Sequence, residues 1–512
     1  MPETAPPGDL WRELRDAMRG VQHDYTRGPV GRAVLLLAVP MVIETLAESI
    51  FAVVDVFFVA RLGAWAAATV GLTESMLTII YTLAMGLSIG VTAMVARRIG
   101  EKDPEAAART AVQAIILGLA VATVVGLLGG IYAPQLLGLM GADPVIVAQG
   151  VPYTRIMLAG NATVLLLFLI NAAFRGAGDA AIAMRVLWIA NAINVVLDPA
   201  LIFGWGPFPA LGIQGAAIAT NIGRGTAVLV QLWLLARAGG RLSVARRHLE
   251  VVPSMMWRLW RLSATGTFQI FVSVASWIGL VRILAGFGAE VLAGYTIGIR
   301  LIIFALLPSW GVSNAAATMV GQALGAGKPE RAERAVWIAG FYNMLCLGSV
   351  GVVFWIFAPQ IVAFFAGAAG VAGAAAGAGA ADAAGAAGAG GATATGGAAG
   401  VAGAAAIALA DETAAVIAWG VQCLRIVTLG FPLFAYGMVL TQSFNGAGDA
   451  WTPTYINLFC FWCFELPAAA LLAYTAGWGP TGVFVAMTIS FASLAVVSGV
   501  IFRRGRWKEK VV

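Results

Sequence analysis

The 512-residue chain is 60% hydrophobic and only 11% charged, with a mean hydropathy of +0.88. Soluble globular domains carry about 25% charged residues, so the composition excludes a soluble protein and reads as an integral membrane one. The net charge of +6 does not point to nucleic acid. Its basic residues gather in short segments between apolar runs, as in the cytoplasmic loops of membrane proteins.

Residues 1–32 hold no apolar core of signal-peptide type and are read as a cytoplasmic N-terminal segment. Within it Asp9 to Arg19 (DLWRELRDAMR) forms a short amphipathic helix, with Leu10, Trp11, Leu14 and Met18 to one side. Such a helix suits the membrane interface. Apolar runs of membrane length then predict spans near 33–60, 67–95, 109–131, 150–174, 184–204 and 212–236. A second set falls near 264–287, 291–321, 336–360, 419–444, 454–475 and 481–502.

The basic residues test this count. With both termini inside, Arg97, Arg98, Lys102, Arg109, Arg175, Arg185, Lys328, Arg331, Arg334 and the tail Arg503 to Lys510 all fall on the cytoplasmic side. The outer loops hold only Arg61. A misplaced span would mix the two sets. Arg155, Arg224, Arg282, Arg300 and Arg425 remain inside spans.

The first span, from Pro40 to Gly63, carries Glu44, Glu48 and Asp55. At roughly 100° per residue, Glu48 lies about 40° and Asp55 about 20° around the helix from Glu44, so the three acids share a stripe. A charge at the bilayer centre costs about 2.5–3.5 kcal/mol on insertion scales. The stripe is therefore expected to face a cavity, and acids lining a membrane cavity suit cation or proton handling.

The chain also repeats itself. FRGAGDA at 174–180 returns as FNGAGDA at 444–450, MVARRIGEKDPEAAAR from Met94 as MVGQALGAGKPERAER from Met319, and LGIQGAAIA from Leu211 as WGPTGVFVA from Trp478. Each echo occupies the same span of a second half. The fold class expected is an all-α integral membrane protein, with twelve transmembrane helices in two six-helix bundles related by a pseudo-two-fold axis along the membrane normal. The bundles occupy 33–236 and 262–502, joined by a basic cytoplasmic linker at 237–261 and followed by a basic tail at 503–512. Parallel repeats of this kind place a substrate site between halves whose rocking gives alternating access. Between spans nine and ten, 366–406 is nearly all Ala and Gly. Each Gly disfavours helix by roughly 1 kcal/mol relative to Ala, and this tract is expected to be a flexible extracytoplasmic insert rather than a span. Cys346, Cys423, Cys460 and Cys463 sit in apolar runs and read as buried reduced thiols without a metal shell.

The first-span FAVVDVFFVARLG, the two GAGDA repeats, and INVVLDPALIFG followed by GIQGAAIAT carry a family resemblance. The chain resembles the multidrug and toxic-compound extrusion (MATE) family over nearly its whole length, the Ala/Gly insert excepted. The resemblance implies an antiporter of the cell membrane, without a cofactor, that exports bulky and often cationic organic compounds in exchange for Na⁺ or H⁺. It implies a coupling-ion site in the first bundle formed by Asp55, Asn194 and Asp198, with Thr220 and Tyr153. Asn194 and Asp198 stand four apart on one helix face, as a shared oxygen site for a hard cation requires; a pair of desolvated acids suits a proton equally.

The chain departs from the family at several places. Glu48 stands where Gln is usual, Glu44 is a further acid, Ser273 occupies the span-seven acid position, and span ten has no acid. A C-terminal sodium site is therefore not expected. Glu465, in CFWCFELPAAA, is the repeat-mate of Asp198: each stands 17 residues before a matched glycine, Gly215 or Gly482. It reads either as a secondary protonation or cationic-substrate site or as a structural acid with a polar partner, and Trp462 is a candidate cradle beside it. Glu74 in span two and Arg300 in span eight are expected to pair across the lobes and close the outer side.

Among other functions, a lipid-linked saccharide flippase would favour arginines for phosphate. A receptor or scaffold gives no reason for acids in the first and fifth spans. An intramembrane enzyme lacks its constellation, since the only histidines are His23 and His248, both in cytoplasmic segments. No P-loop is present, so an ion gradient rather than ATP would supply energy. Small organic cations and the lipid bilayer are the expected partners, with the chain a monomer and nucleic acid excluded.

Overall fold

The computed structural model describes residues 10–510 except 22, 238, 239 and 386–397, and describes the backbone alone for 49–56, 60, 64, 367–385 and 398–410. The described residues form helices and no strand. They are α1 (Leu10–Met18), α2 (Val30–Val59), α3 (Ala64–Gly100), α4 (Pro104–Leu139), α5 (Pro144–Ala159), α6 (Ala162–Ala177), α7 (Ala180–Phe203) and α8 (Ile213–Ala236). The second half follows with α9 (Pro253–Ala285), α10 (Ala289–Gly325), α11 (Pro329–Gly385), α12 (Ala398–Thr428), α13 (Phe431–Gly446), α14 (Trp451–Asn457), α15 (Leu466–Ala470) and α16 (Pro480–Arg503).

Helix starts follow from local chemistry. α4, α5, α9 and α16 each begin on proline, whose missing N–H costs nothing in the first turn. The Asp103 and Asp143 carboxylates accept from the Ala106 and Ile146 amides at 2.9 and 2.8 Å, satisfying N–H groups that the helix itself leaves open. Three predicted spans are more elaborate than an apolar run reveals. Span four is α5 followed by α6, span ten is α12 and α13 bent by 57°, and span eleven contains two π-helical stretches, Leu458–Glu465 and Leu471–Thr475, around α15.

Among the described residues eleven helices are long and apolar enough to cross a membrane, or twelve with the bent pair taken as one span. The chain is thus an all-α membrane protein of two six-helix bundles, α2–α8 and α9–α16, related by a pseudo-two-fold axis. The backbone records the repeat in its glycines. Gly63 and Gly288 have φ of 106° and 107°, Gly178 and Gly448 of 87° and 84°, and Gly212 and Gly479 of 59° and 57°. These are left-handed or otherwise L-disfavoured positions that glycine adopts without a Cβ clash. Arg155 and Arg425, at matched places, donate to the carbonyls of Gly130 and Trp355 at 3.0 and 3.3 Å.

The halves meet along a seam of glycines toward the end of the molecule that carries α1 and Lys510. A Cβ on Gly86 of α3 would stand 2.4 Å from the Thr267 backbone of α9, and one on Gly311 of α10 would stand 2.7 Å from the Val42 amide of α2. A Cβ on Gly100 would reach the Gln322 carbonyl at 2.1 Å, and one on Gly325 the Arg97 carbonyl at 2.2 Å. Each contact is the repeat-mate of the other. Small residues allow this close backbone approach between membrane helices. The first helix of each half crosses the seam: residues 30–41 of α2 share a buried cluster with α10, α11 and α13, and Met255 and Leu259 of α9 share one with the first bundle. Away from the seam the repeat-mates Ile79 and Phe304 are 66% and 52% exposed.

The Ala/Gly-rich tract differs from the expectation. α11 stays helical to Gly385 and α12 is helical from Ala398, so the tract extends two spans. Alanine, the strongest helix former, offsets the glycine penalty there. The centre of the expected insert, 386–397, lies outside the described residues.

Candidate functional site

In the first bundle α7 lies against α8, where Gly223 permits close approach: a Cβ there would stand 3.0 Å from the Ala190 carbonyl. This packing carries Asn194 and Asp198 onto Thr220. Asn194 and Asp198 are fully buried and Thr220 is 2% exposed. The Asn194 amide donates from Nδ2 to Asp198 Oδ1 at 3.1 Å and to Thr220 Oγ1 at 3.4 Å. Its Oδ1 is buried with no hydrogen-bond partner among the described residues, and buried polar atoms left unpaired in this way are uncommon. The three oxygen-bearing side chains expected from the sequence are therefore together. Tyr153, on α5, is 1% exposed in the core of the same bundle. Asp55 lies on α2, and its side chain falls outside the described residues.

The acid stripe of the first span divides. Glu44 does not stand open to a cavity: Arg175 Nη1 donates to its Oε1 at 2.6 Å, with side chains 6% and 14% exposed. Arg175, counted as a loop positive by sequence, comes from the end of α6 and neutralises it. Nothing in the one-dimensional pattern linked the two. Glu48 is partly buried, with Arg224 and Arg175 as the nearest cations. Arg224 donates to the Tyr81 hydroxyl at 2.8 Å, and Tyr81 meets Phe168 edge to face at 5.9 Å.

Glu74 and Arg300 are exposed, one in each half, and form no ion pair, although the Arg300 charge reaches Glu74. Glu465 is 1% exposed in the π-helical stretch of span eleven. The Trp462 indole donates to the Val272 carbonyl of α9 at 2.9 Å, and the side chain is 40% exposed. All four cysteines are free, but Cys346 and Cys463 are exposed, contrary to the expectation that all are buried. An apolar side of a membrane helix is as often turned outward as inward, and hydropathy does not separate the two. No cluster of three or more His, Cys, Asp or Glu suited to a metal exists among the described residues.

A second set of charges, not anticipated from sequence, lies at the end of the molecule that carries α1. Asp179, in the first GAGDA motif, is beside Arg241 of the linker; burial pushes its carboxyl up to about 6, which the Arg241 charge opposes. Its repeat-mate Asp449 pairs with Lys510 of the tail at 3.5 Å. Arg241 also donates to the carbonyls of Ala177 and His23, and Arg331 of α11 donates to those of Tyr25, Arg27 and Gly28. Each half thus places a cation that follows its sixth span on its own GAGDA aspartate. The recurring Asp in the repeat was the available signal.

Two bundles joined at one end, with a buried polar cluster inside one of them, define a polytopic membrane transporter. The MatE family model matches residues 40–200, 267–409 and 366–471, and the chain belongs to this family of multidrug and toxic-compound extrusion transporters, which are not enzymes. It is similar to the FAD transporter of Shewanella oneidensis, at 28% identity over 62% of this chain and 70% of that protein. It is also similar to "Probable multidrug resistance protein YoeA" of Bacillus subtilis, at 22% identity over 96% and 97%. In fold it matches a MOP-superfamily transporter from Pyrococcus furiosus, with a TM-score of 0.81 at 23% identity, over 96% of this chain and 99% of that one.

Proposed function

We propose that the chain is a secondary active antiporter of the plasma membrane. With both termini cytoplasmic, it exports bulky, often cationic organic compounds in exchange for H⁺ or Na⁺ by rocking of its two bundles. The observation that carries this reading is the buried cluster of Asn194, Asp198 and Thr220, with its unpaired Asn194 Oδ1. A carboxylate, an amide oxygen and a hydroxyl are the ligands a hard cation takes, and the same carboxylate can hold a proton. Asp55 joins the site in this proposal. Tyr153 closes its outer wall, and Glu48 stands on the approach.

The glycine seam supports the mechanism. In this reading it seals the cytoplasmic side between the halves, while Glu74 and Arg300 form no ion pair on the other side. That arrangement suits an outward-open state, in which a Glu74–Arg300 closure would be undone. Relatives named as probable multidrug resistance proteins support a broad range of small organic substrates.

A second reading, export of an anionic flavin dinucleotide, is favoured by Arg224, whose guanidinium donates to the Tyr81 hydroxyl and lies 5.9 Å from the Tyr81 ring. A guanidinium beside an aromatic ring suits an aromatic compound bearing phosphates, and one relative is an FAD transporter. Reconstituted vesicles loaded in turn with ethidium and with FAD, under an imposed H⁺ or Na⁺ gradient, test both readings. Export of ethidium that follows one gradient and is lost in D198N is expected. Export indifferent to both gradients, or unchanged in D198N, would overturn the coupling site, and export of FAD alone would select the second reading.

A further inference from the structure

The polar site of the first bundle has a counterpart in the second, in which one polar member survives. The paired glycines fix the register between the halves. Carried through those offsets, Asp55 falls on Leu280, Tyr153 on Cys423, Asn194 on Phe461 and Thr220 on Met487, while Asp198 falls on Glu465. Leu280, Cys423 and Met487 join Tyr295 and Phe484 in one buried cluster. Glu465 is 1% exposed, and among the described residues it forms no ion pair and its Oε2 has no hydrogen-bond partner. Tyr295 on α10 and Cys460 on its own span are the titratable groups that face it, with Cys423 of α12 beyond Tyr295. α9 and α16 contribute Leu280, Phe484 and Met487 to this region. Among the described residues no Lys, Arg or His pairs with Glu465.

An ionised carboxylate without partner or cation is strongly disfavoured in such surroundings. A metal cation would need several oxygen ligands, and Leu280, Phe461 and Met487 supply none. A proton needs only the one carboxylate oxygen. The backbone adds an independent sign. Glu465 ends a π-helical stretch where its counterpart α7 is regular, and the Cys460 carbonyl in that stretch accepts from Ser490 Oγ of α16 at 3.2 Å. Such wide turns recur at functional sites.

We propose that Glu465 is a proton-binding site of the second bundle. It is loaded while its pocket is sealed, and it releases the proton from its carboxyl O–H to water when the bundle rearranges. The transport role rests on the antiporter reading above; the protonation itself does not. Infrared spectra of the purified protein at neutral pH are expected to show a carboxylic-acid C=O band that is lost in E465Q and returns, shifted, in E465D. A spectrum unchanged by E465Q would overturn the proposal. In vesicles, E465Q is expected to move fewer protons per ethidium exported than the unmodified chain, with E465D restoring the count; an unchanged count in E465Q would also overturn it. If the unmodified chain shows no gradient-driven export, the antiporter reading fails while the infrared result still decides whether Glu465 holds a proton.

Discussion

Replacing Gly86 with alanine tests whether the glycine seam sets the balance between conformations. In the state seen here the added Cβ would stand 2.4 Å from both the Thr267 amide nitrogen and its Cα, and 2.1 Å from its Oγ1. Two of these neighbours are backbone atoms on the other half, so relief requires the halves to part. Overpacking of a tight contact costs about 1–3 kcal/mol. Because the contact is made only while this side is sealed, nearly all of that cost falls on the sealed state. It corresponds to a shift of roughly 5–150-fold toward a state open at this end. Spin labels on cysteines placed at Lys102 and Lys328, in matched loops of the two halves, report the separation once the exposed Cys346 and Cys463 are made serine. G86A is expected to populate a longer distance. Gly225 supplies the control, because its Cβ would meet nothing nearer than Thr163 Cγ2 at 3.7 Å; G225A is expected to leave the distances alone. Identical distance distributions for G86A and the unmodified chain would refute the reasoning.

Two other predictions concern charges. R175M leaves Glu44, 6% exposed, as an unpaired buried carboxylate, which costs about 3–5 kcal/mol; thermal unfolding in detergent is expected to show a large loss in R175M and much of it recovered in the double variant E44Q/R175M. Equal losses in single and double variants would mean that the pair does not hold α2 to α6. Asp179 is pushed up to about 6 from an ordinary 3.8 by burial, so the folded chain retains its proton where the unfolded chain has lost it. The stability it contributes is fully present below pH 3.8 and is lost as the pH rises through about 6. Tm is expected to fall across that window, and D179N to flatten the fall; an undiminished slope in D179N would remove Asp179 as its source.

The twelve spans and the repeat were legible because each rests on a local signal. Membrane length, the sidedness of Arg and Lys, and the recurrence of GAGDA need no knowledge of which helix touches which. The Asn194–Asp198 pair was legible for the same reason, since one helix turn fixes their proximity. Thr220, on another helix, was reached through family resemblance. Glu44 was placed on the right stripe but given the wrong environment, because its partner Arg175 lies 131 residues on and the pattern of α2 carries no record of it. The Trp462 indole is tied to the Val272 carbonyl of α9, a partner 190 residues away that the pattern of span eleven does not record, and no composition rule announced the two π-helical stretches of that span.

The sequence by itself determined that this chain crosses a membrane repeatedly, that it is two copies of one six-span plan, and that acids stand where lipid would not tolerate them. Those conclusions follow from the cost of placing charge in hydrocarbon and from the short-range periodicity of helices. Only the tertiary structure decided which acids are neutralised and which are not. It paired Glu44 with Arg175, gathered Asn194, Asp198 and Thr220, left Glu465 among apolar residues, and closed the halves along glycines at one end. A buried charge is governed by the partners that packing brings within a few ångströms, and packing is the property that a one-dimensional pattern does not contain.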